Sequence, residues 1–232
     1  MEKPFIIAHR IVNETICNKE ALKKLLTDLQ NKNVWGAEFD IRQTKDSEFI
    51  AFHDAKFSQL KRNIKDYTLE ELKKEATKNN FSFLTVEEVL KIVPPSFLIQ
   101  IDIKDKKISI EPLIKVLRQS QLLNQIIVSS FYPHIILQLS GCEEIKHRWL
   151  LVNISTKRNL FHIFYAVMPI RFALKCKATG IAPQQYLVSK NLLLKAHKTG
   201  LTVATWTIDN LEEIKRLEKY GLDYIIADCH YI

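Results

Sequence analysis

The chain has 232 residues, 47% of them hydrophobic, and a formal net charge of +8. This length suits one domain over residues 1–232, and a single (β/α) barrel in particular needs roughly 200–250 residues. No run reaches the ~18–20 apolar residues of a membrane span, and no Lys/Arg run is interleaved with aromatic residues. We therefore expect neither a transmembrane protein nor a nucleic-acid partner. The positive charge favours anionic partners instead, such as phosphorylated substrates or acidic lipid surfaces.

Cysteine usage indicates the compartment. The four cysteines stand at irregular spacings, and none forms a Cys-x-x-Cys pair. Reduced thiols in a cytosolic protein fit this pattern better than a disulfide framework does. The early residues "FIIAHR" are typical of a strand from Phe5 rather than of a signal peptide. We therefore expect a cytoplasmic protein.

Short β-rich runs alternate with helical patterns along the chain. Strands separated by helices are typical of βαβ units and of a parallel sheet. Nine strands are predicted, over residues 5–9, 36–41, 49–52, 97–103, 125–130, 148–154, 178–183, 201–208 and 224–228.

Several of the predicted helices carry start and stop signals. Asn18 is a candidate N-cap, and Thr68, with a Glu three residues later, begins a capping box. Thr85 begins another helical pattern. Gly200 and Gly221 follow the last two helical patterns, at the position where glycine commonly ends a helix.

Nine strands are one too many for an eight-stranded barrel, and the short link between the second and third resolves the count. Only "RQTKDSE" separates "GAEFDI" from "FIAF", whereas a parallel crossover needs about a dozen residues or more. These strands should therefore form an antiparallel hairpin that turns near Asp46 and Ser47 and brings Asp40 opposite His53. The remaining strands predict an α/β fold, a (β/α)8 TIM-type barrel with a short β-hairpin at the catalytic rim.

Polar residues gather at the ends of the predicted strands, where barrels of this kind place their active sites. Glu38 and Asp40 are two apart in one strand and so share a face, as do Asp102 and Lys104 in another. The other strand ends carry His9, Arg10, His53, Asp54, Ser129, Ser130, Trp206, Thr207 and Asp228.

Three of these carboxylates, on Glu38, Asp40 and Asp102, form an oxygen-rich set. Hard divalent cations such as Mg²⁺ or Ca²⁺ prefer such ligands, and a cation would compensate buried charges that otherwise repel. His9 and His53 stand beside the acids and can move protons near neutral pH.

Each of these features also has an ordinary explanation. A Glu-x-Asp pair is more often part of a salt-bridge network, and a lone histidine at a strand end is more often a satisfied core residue. The conjunction of acids, histidines and the cations Arg10 and Lys104 at one barrel end favours a site for an anionic phosphoryl group.

The same residues resemble the glycerophosphodiester phosphodiesterase family. The family's opening His-Arg matches "HR" at residues 9–10. Its Glu-x-Asp, followed by Thr-Lys-Asp and then His-Asp, matches the run from Glu38 to Asp54. Its acid-x-Lys strand matches "IDIK", and its "SSF" and "WT" motifs are present in the same order. The resemblance covers nearly the whole chain.

This resemblance implies a metal-assisted hydrolysis of glycerophosphodiesters, or of lysophospholipids, to glycerol 3-phosphate and an alcohol. It implies that His9 and His53 are the general acid/base pair. One deprotonates the nucleophile, either water or a substrate hydroxyl that forms a cyclic phosphate, and the other protonates the leaving alkoxide. It further implies substrate contacts at Arg10, Lys104 and Trp206, and metal ligands at Glu38, Asp40 and Asp102.

Three departures from the family pattern keep a second hypothesis open. Ile11 stands where the family has glycine, which predicts a reshaped pocket. The Pro-Glu-Asn-Thr stretch is reduced to "NET" at 13–15, and Asp102 is one methylene shorter than the usual glutamate. The second hypothesis is a barrel that binds phosphodiesters or lipid headgroups without turnover. The retained His9 and His53 argue against it.

The segment "KRNLFHIFYAVMPIRFALKCK", residues 157–177, has an apolar centre with basic borders. Its apolar run is too short to span a bilayer and contains Pro169. A barrel helix that packs on the strands explains the apolar centre, and a segment in a membrane interface also explains the borders. Because lysophospholipids are taken from membranes or micelles, we predict peripheral contact with anionic membranes through 157–177. The sequence leaves the oligomeric state open.

Overall fold

The computed structural model describes residues 3–154 and 167–232. Eight parallel strands close into a barrel because the first pairs with both the second and the last. The predicted (β/α)8 TIM-type barrel is confirmed. In barrel order the strands are β1 (Phe5–His9), β2 (Gly36–Gln43), β5 (Leu98–Ile103), β6 (Ile126–Ser130), β7 (His147–Val152), β8 (Gly180–Pro183), β9 (Thr202–Ile208) and β10 (Tyr224–Asp228).

The hairpin at the rim consists of β2 and β3 (Phe49–Ala51), which pair antiparallel as predicted. Its register differs from the prediction by one residue. Phe52 N donates to Asp40 O at 2.9 Å, so Phe52 and not His53 lies opposite Asp40. The chain turns over residues 45–47, an odd number of residues, whereas the predicted pairing needs an even number. His53 therefore follows the last paired position and begins the loop after the hairpin.

A further short strand, β4 (Leu84–Thr85), pairs antiparallel with β3. It extends the hairpin away from the barrel. Its two residues are too few to show an alternating pattern in the sequence.

Helices cover the outside of the barrel, and their predicted N-caps are confirmed. Asn18 Oδ1 accepts from Ala21 N at 2.9 Å, and Thr68 and Thr85 each form a complete capping box. The described helices are α1 (Lys19–Asn31), α2 (Leu69–Lys78), α3 (Val86–Leu90), α4 (Ile110–Gln119), α5 (Pro133–Leu139), α6 (Pro169–Lys175), α7 (Lys190–Lys198) and α8 (Leu211–Leu217).

Both faces of the barrel strands are buried, as expected for a parallel sheet covered by helices. In β2, Phe39 and Ile41 belong to the core cluster that includes Leu22 of α1. The alternate residues Glu38 and Asp40 are also buried, with 3% and 1% of their surface exposed. Since successive side chains point to opposite faces, these acids face the barrel interior near the carboxyl end of β2.

Among the described residues, no helix is long and apolar enough to cross a membrane. Of the predicted membrane-contact segment 157–177, residues 157–166 lie outside the described residues. Pro169 stands in the first turn of α6, where proline is tolerated because the N–H it lacks would have no partner within the helix.

Candidate active site

A cavity of about 180 Å³ opens at the carboxyl ends of the strands. Seven of the eight predicted site residues line this cavity. The remaining one, Asp40, is buried behind the wall, and its Oδ2 lies 3.4 Å from Arg10 Nε. The structure therefore brings the predicted set together. The seven predicted residues in the cavity wall are His9, Arg10, Glu38, His53, Asp102, Lys104 and Trp206.

The three acids predicted as metal ligands form one buried cluster. Glu38 and Asp40 come from β2, and the register with β5 places Asp102 beside Asp40. One carboxylate oxygen of each acid lies within 4.8 Å of those of the other two. Burial, followed by the charge of Asp40, raises the pKa of Glu38 well above its ordinary value. Buried oxygen ligands that crowd together in this way fit a hard divalent cation.

Lys104 is the cation inside this cluster. Its Nζ lies 2.8 Å from Asp40 Oδ1 and also contacts the carboxylate of Asp102. Burial alone would lower the pKa of Lys104, but Asp102 and Asp40 outweigh burial and raise it. Burial likewise acts to raise the pKa of Asp40, but Lys104 outweighs it and the pKa falls below its ordinary value. Both groups therefore stay charged near neutral pH.

The turn after β1 holds Glu38 through backbone donors. Arg10 has a φ of 50°, in the left-handed region that few residues other than glycine adopt. In this conformation Arg10 N donates to Glu38 Oε2 at 2.8 Å, and Ile11 N donates to Glu38 O at 2.9 Å. The side chain of Ile11 is fully buried in the hydrophobic core, so its bulk is accommodated away from the cavity.

His9 ends β1 and is held by the last strand. Its Nδ1 lies 3.0 Å from Asp228 Oδ1, because β1 and β10 pair in register at these two residues. Its Nε2 lies 3.9 Å from Glu38 Oε2. Burial lowers the pKa of His9, although the hydrogen bond with Asp228 acts in the opposite direction. A neutral imidazole that donates from Nδ1 keeps an acceptor lone pair on Nε2, which lies 3.4 Å from Thr207 Oγ1.

His53 stands nearer the mouth, with 36% of its side chain exposed against 14% for His9. Its Nδ1 lies 2.7 Å from Asp54 Oδ1. Burial lowers the pKa of His53, and the charge of Asp40 opposes this. Both histidines thus engage a carboxylate through Nδ1 in the same cavity.

Trp206 belongs to an uncharged wall. Its indole Nε1 donates to Ala182 O at 2.6 Å, and its ring meets Phe131 edge to face with the centroids 5.4 Å apart. This wall comes mainly from the β6 to β9 side of the barrel, and the charged residues come from β1, β2, β5 and the loop after the hairpin, with the uncharged Gln100 of β5 beside Glu38. The cavity therefore has a charged half and a neutral half.

The eight site residues predicted from the sequence leave out Gln100, Asn153 and Gln184, which line the cavity, and they leave out Asp228, which the sequence places at a strand end without a role. Gln100 carries a usable signal, since it lies two residues before Asp102 and must share its face. Asp228 ends a predicted strand, but its contact with His9 becomes visible only once the barrel closes. Asn153 lies two residues after Leu151 in the predicted strand 148–154 and so shares its face, but an asparagine near a strand end does not by itself indicate a site.

A closed (β/α)8 barrel with acids, histidines and cations at the carboxyl ends of its strands defines the class of the chain, a TIM-barrel hydrolase of phosphoric diesters. Residues 34–230 match the family model of the Glycerophosphoryl diester phosphodiesterase family, and the chain belongs to this family. The family and the enzyme class expected from the sequence are confirmed.

Known relatives match almost the full length of the chain. A glycerophosphodiester phosphodiesterase of Caldanaerobacter subterraneus subsp. tengcongensis is 26% identical over 246 residues, covering 97% of this chain and 94% of that protein. The solved glycerophosphodiester phosphodiesterase of Thermotoga maritima is 22% identical with a TM-score of 0.69, covering 98% of this chain and 96% of that one. An Oleispira antarctica phosphodiesterase, solved with the product sn-glycerol-3-phosphate, is 18% identical with a TM-score of 0.72, covering 98% and 94%.

Proposed function

We propose that the chain, as one barrel domain over residues 1–232, hydrolyses glycerophosphodiesters to glycerol 3-phosphate and an alcohol with His9 and His53 as general base and general acid. One observation carries this proposal. Two histidines, each with Nδ1 on a carboxylate, share one small cavity with a buried cluster of three acids. The sn-glycerol-3-phosphate bound by the Oleispira antarctica relative is the phosphate monoester that this reaction would release.

The different exposure of the histidines supports separate proton-transfer roles. His9 is the deeper of the two, and Asp228 orients its ring, so it is placed to deprotonate the attacking oxygen. That oxygen belongs to water or to a substrate hydroxyl that closes a cyclic phosphate. His53 stands nearer the mouth, where the alcohol departs, and it is placed to protonate the leaving alkoxide.

The charged half of the cavity has the composition needed to bind a phosphodiester. Arg10 and Lys104 would contact the phosphate oxygens, and Glu38, Asp40 and Asp102 would hold a divalent cation, Mg²⁺ or Ca²⁺. When bound, such a cation neutralises phosphate oxygens and stabilises the charge that develops as phosphorus is attacked. The carboxylate of Asp102 reaches the other two acids although it is one methylene shorter than the usual glutamate.

Turnover of glycerophosphocholine in the presence of Mg²⁺ or Ca²⁺ tests the proposal. Phosphorus NMR would show glycerol 3-phosphate as the product and would reveal a cyclic phosphate if one forms on the way. Binding of glycerol 3-phosphate without turnover of any diester would favour the second hypothesis, a barrel that binds without reacting.

The proposal extends to peripheral contact with anionic membranes through the described part of segment 157–177. A groove of about 940 Å³ between α6 and α7 is lined by apolar residues, including Val152 and Leu192, and Met168 and Leu174 at the groove are exposed. Apolar surface with a cationic border is suited to a membrane interface. The basic residues that line this groove are Arg171, Lys175, Lys195 and Lys198.

Co-sedimentation with phosphatidylserine vesicles tests this contact. Binding should weaken as salt rises, because screening reduces the attraction between the lysines and the lipid charge, and it should fall in Met168→Ser and Leu174→Ser. Trp35→Ser is the control, since Trp35 is also exposed but lies at the opposite end of the barrel. We place the protein at the cytoplasmic face of the membrane because its four cysteines are free thiols, as a reducing compartment favours.

A further inference from the structure

Two amide oxygens in the cavity wall lack hydrogen-bond donors. Gln100 Oε1 and Asn153 Oδ1 are buried and accept no hydrogen bond from any residue within 3–154 or 167–232. Only 2% of Gln100 and 8% of Asn153 is exposed, and both residues line the cavity. Buried carbonyl oxygens are almost always hydrogen-bonded in folded proteins, because leaving one unsatisfied forfeits its hydration. A ligand that enters the cavity is placed to supply the donors that these oxygens lack among the described residues.

The neighbours of Gln100 fix the orientation of its amide. Gln100 Nε2 donates to Ser129 Oγ at 3.1 Å, and Ser129 Oγ points its own donor at Ile101 O, 3.5 Å away. Because the serine hydroxyl has one proton and directs it to a carbonyl, it acts as the acceptor for Gln100. The amide nitrogen thus faces Ser129, which leaves the amide oxygen of Gln100 for the cavity.

The surroundings of these oxygens are mixed. Gln100 pairs in register with Glu38, and the same cavity is lined by Phe131, Leu151 and Trp206, which offer hydrocarbon and aromatic surface to a ligand. A group that fits here carries hydroxyl donors on a short hydrocarbon chain. That is the chemistry of a small polyol.

We propose that Gln100 and Asn153 form a hydroxyl-recognition subsite for the glycerol moiety of a deacylated glycerophosphodiester. This rests on the proposed function, since a phosphate held by Arg10 and Lys104 would bring the attached glycerol into the same small cavity as both oxygens. The glycerol moiety of a deacylated glycerophosphodiester has two free hydroxyls, matching the two acceptors. The glycerol moiety of a lysophospholipid has one. The cavity, of about 180 Å³, is small and suits a compact polar group such as glycerol.

The test compares the binding of glycerol 3-phosphate and propyl phosphate, which differ only in these hydroxyls. Binding is measured by calorimetry, because a propyl diester would also lack the hydroxyl that could close a cyclic phosphate. A site built to bind a hydroxyl discriminates strongly against analogues that lack it, so we expect the affinity to favour glycerol 3-phosphate by about 100-fold. Gln100→Met and Asn153→Leu should each reduce this preference by about 10-fold, through weaker binding of glycerol 3-phosphate.

Gln125→Met is the matched control. Gln125 Oε1 is likewise buried without a partner among the described residues, but Gln125 lies before β6, at the opposite end of the barrel. The same amide is removed there, and the preference for glycerol should not change. Thermal unfolding of all variants identifies any that fail to fold, and either Gln100→Met or Asn153→Leu suffices for the test.

Failure of the subsite differs from failure of the proposed function. Equal affinities of the unaltered protein for the two monoesters, or an equal loss on both in the variants, would overturn the subsite and leave the hydrolase standing. That is the result expected if ordered water satisfies the two oxygens. If glycerophosphocholine is not turned over with metal present, the proposed function fails, and the binding comparison still decides the subsite.

Discussion

Arg42 holds the backbone of His53 in place. Its Nε and Nη2 both donate to the carbonyl oxygen of His53, at 3.0 and 2.6 Å, and its Nη1 donates to Asp105 Oδ1 at 2.8 Å. The other oxygen of Asp105 accepts from Gln43 N at 2.8 Å. Hydrogen bonds from a guanidinium are among the stronger ones in proteins. The loop that carries His53 is therefore fastened to β2, a rigid element of the barrel.

Arg42→Met should reduce kcat by about 10–100-fold with little change in KM, because a displacement of about 1 Å at a catalytic group costs on that order. In a His53→Ala background the same substitution should cost nothing further, since Arg42 acts through His53. Steady-state kinetics of the unaltered protein, the two single variants and the double variant measure this coupling between Arg42 and His53. An equal loss in both backgrounds would show that Arg42 acts elsewhere. Arg62→Met is the control, as Arg62 stacks on Tyr67 near the same loop.

His9→Ala and His53→Ala should each lower kcat by about 10²–10⁴-fold, the usual contribution of a general acid or base. The barrel should stay folded, because both side chains lie at the rim. His197→Ala is the matched control, since His197 also pairs with a carboxylate, that of Asp223 at 2.9 Å, away from the cavity. Turnover close to that of the unaltered protein in either cavity variant would remove that histidine from its proposed role.

Removal of divalent cations by a chelator should abolish turnover, and added Mg²⁺ or Ca²⁺ should restore it. Glu38→Gln and Asp40→Asn should weaken cation binding measured by calorimetry, because each removes one charged ligand from the cluster. Glu70→Gln, at an exposed acid paired with Lys74, should leave binding unchanged. Full activity of metal-free protein in excess chelator would exclude the cation from the reaction.

Asp102→Glu should keep or raise the affinity for the cation, because it restores the longer carboxylate expected from the family. Asp102→Asn, which removes the charge and keeps the length, should lower it. Isothermal titration of both variants separates the effect of length from that of charge. A large loss of affinity in Asp102→Glu would mean that the surrounding strands are packed around the shorter side chain.

The barrel could be predicted because buried strands produce apolar runs, and the hairpin followed from the short link between two of them. The hairpin register could not be predicted. All three residues of β3, from Phe49 to Ala51, are buried, so no alternation of polar and apolar residues distinguishes one register from the next. The one-residue error at Asp40 is the result.

The acids and histidines of the site could be predicted because each stands at a strand end. The supporting contacts could not. Arg42 donates to a backbone carbonyl in a loop, and no residue type at His53 marks that carbonyl as an acceptor. Gln100 Oε1 lacks a hydrogen-bond donor among the described residues because the amide nitrogen of Gln100 faces the Ser129 hydroxyl, and only the folded structure shows this contact.

With Asp40 and Asp102 among the proposed cation ligands, Lys104 would make the binding of a cation and of a phosphate interdependent. Its ammonium has three donors and is engaged by Asp40 and Asp102. An arriving phosphate oxygen competes for the same ammonium, and each donor it takes leaves the carboxylates more attractive to a cation. By thermodynamic reciprocity, a cation on the carboxylates releases Lys104 toward the phosphate by the same free energy. The two ligands should therefore bind cooperatively, so that the cavity discriminates against either ion arriving alone.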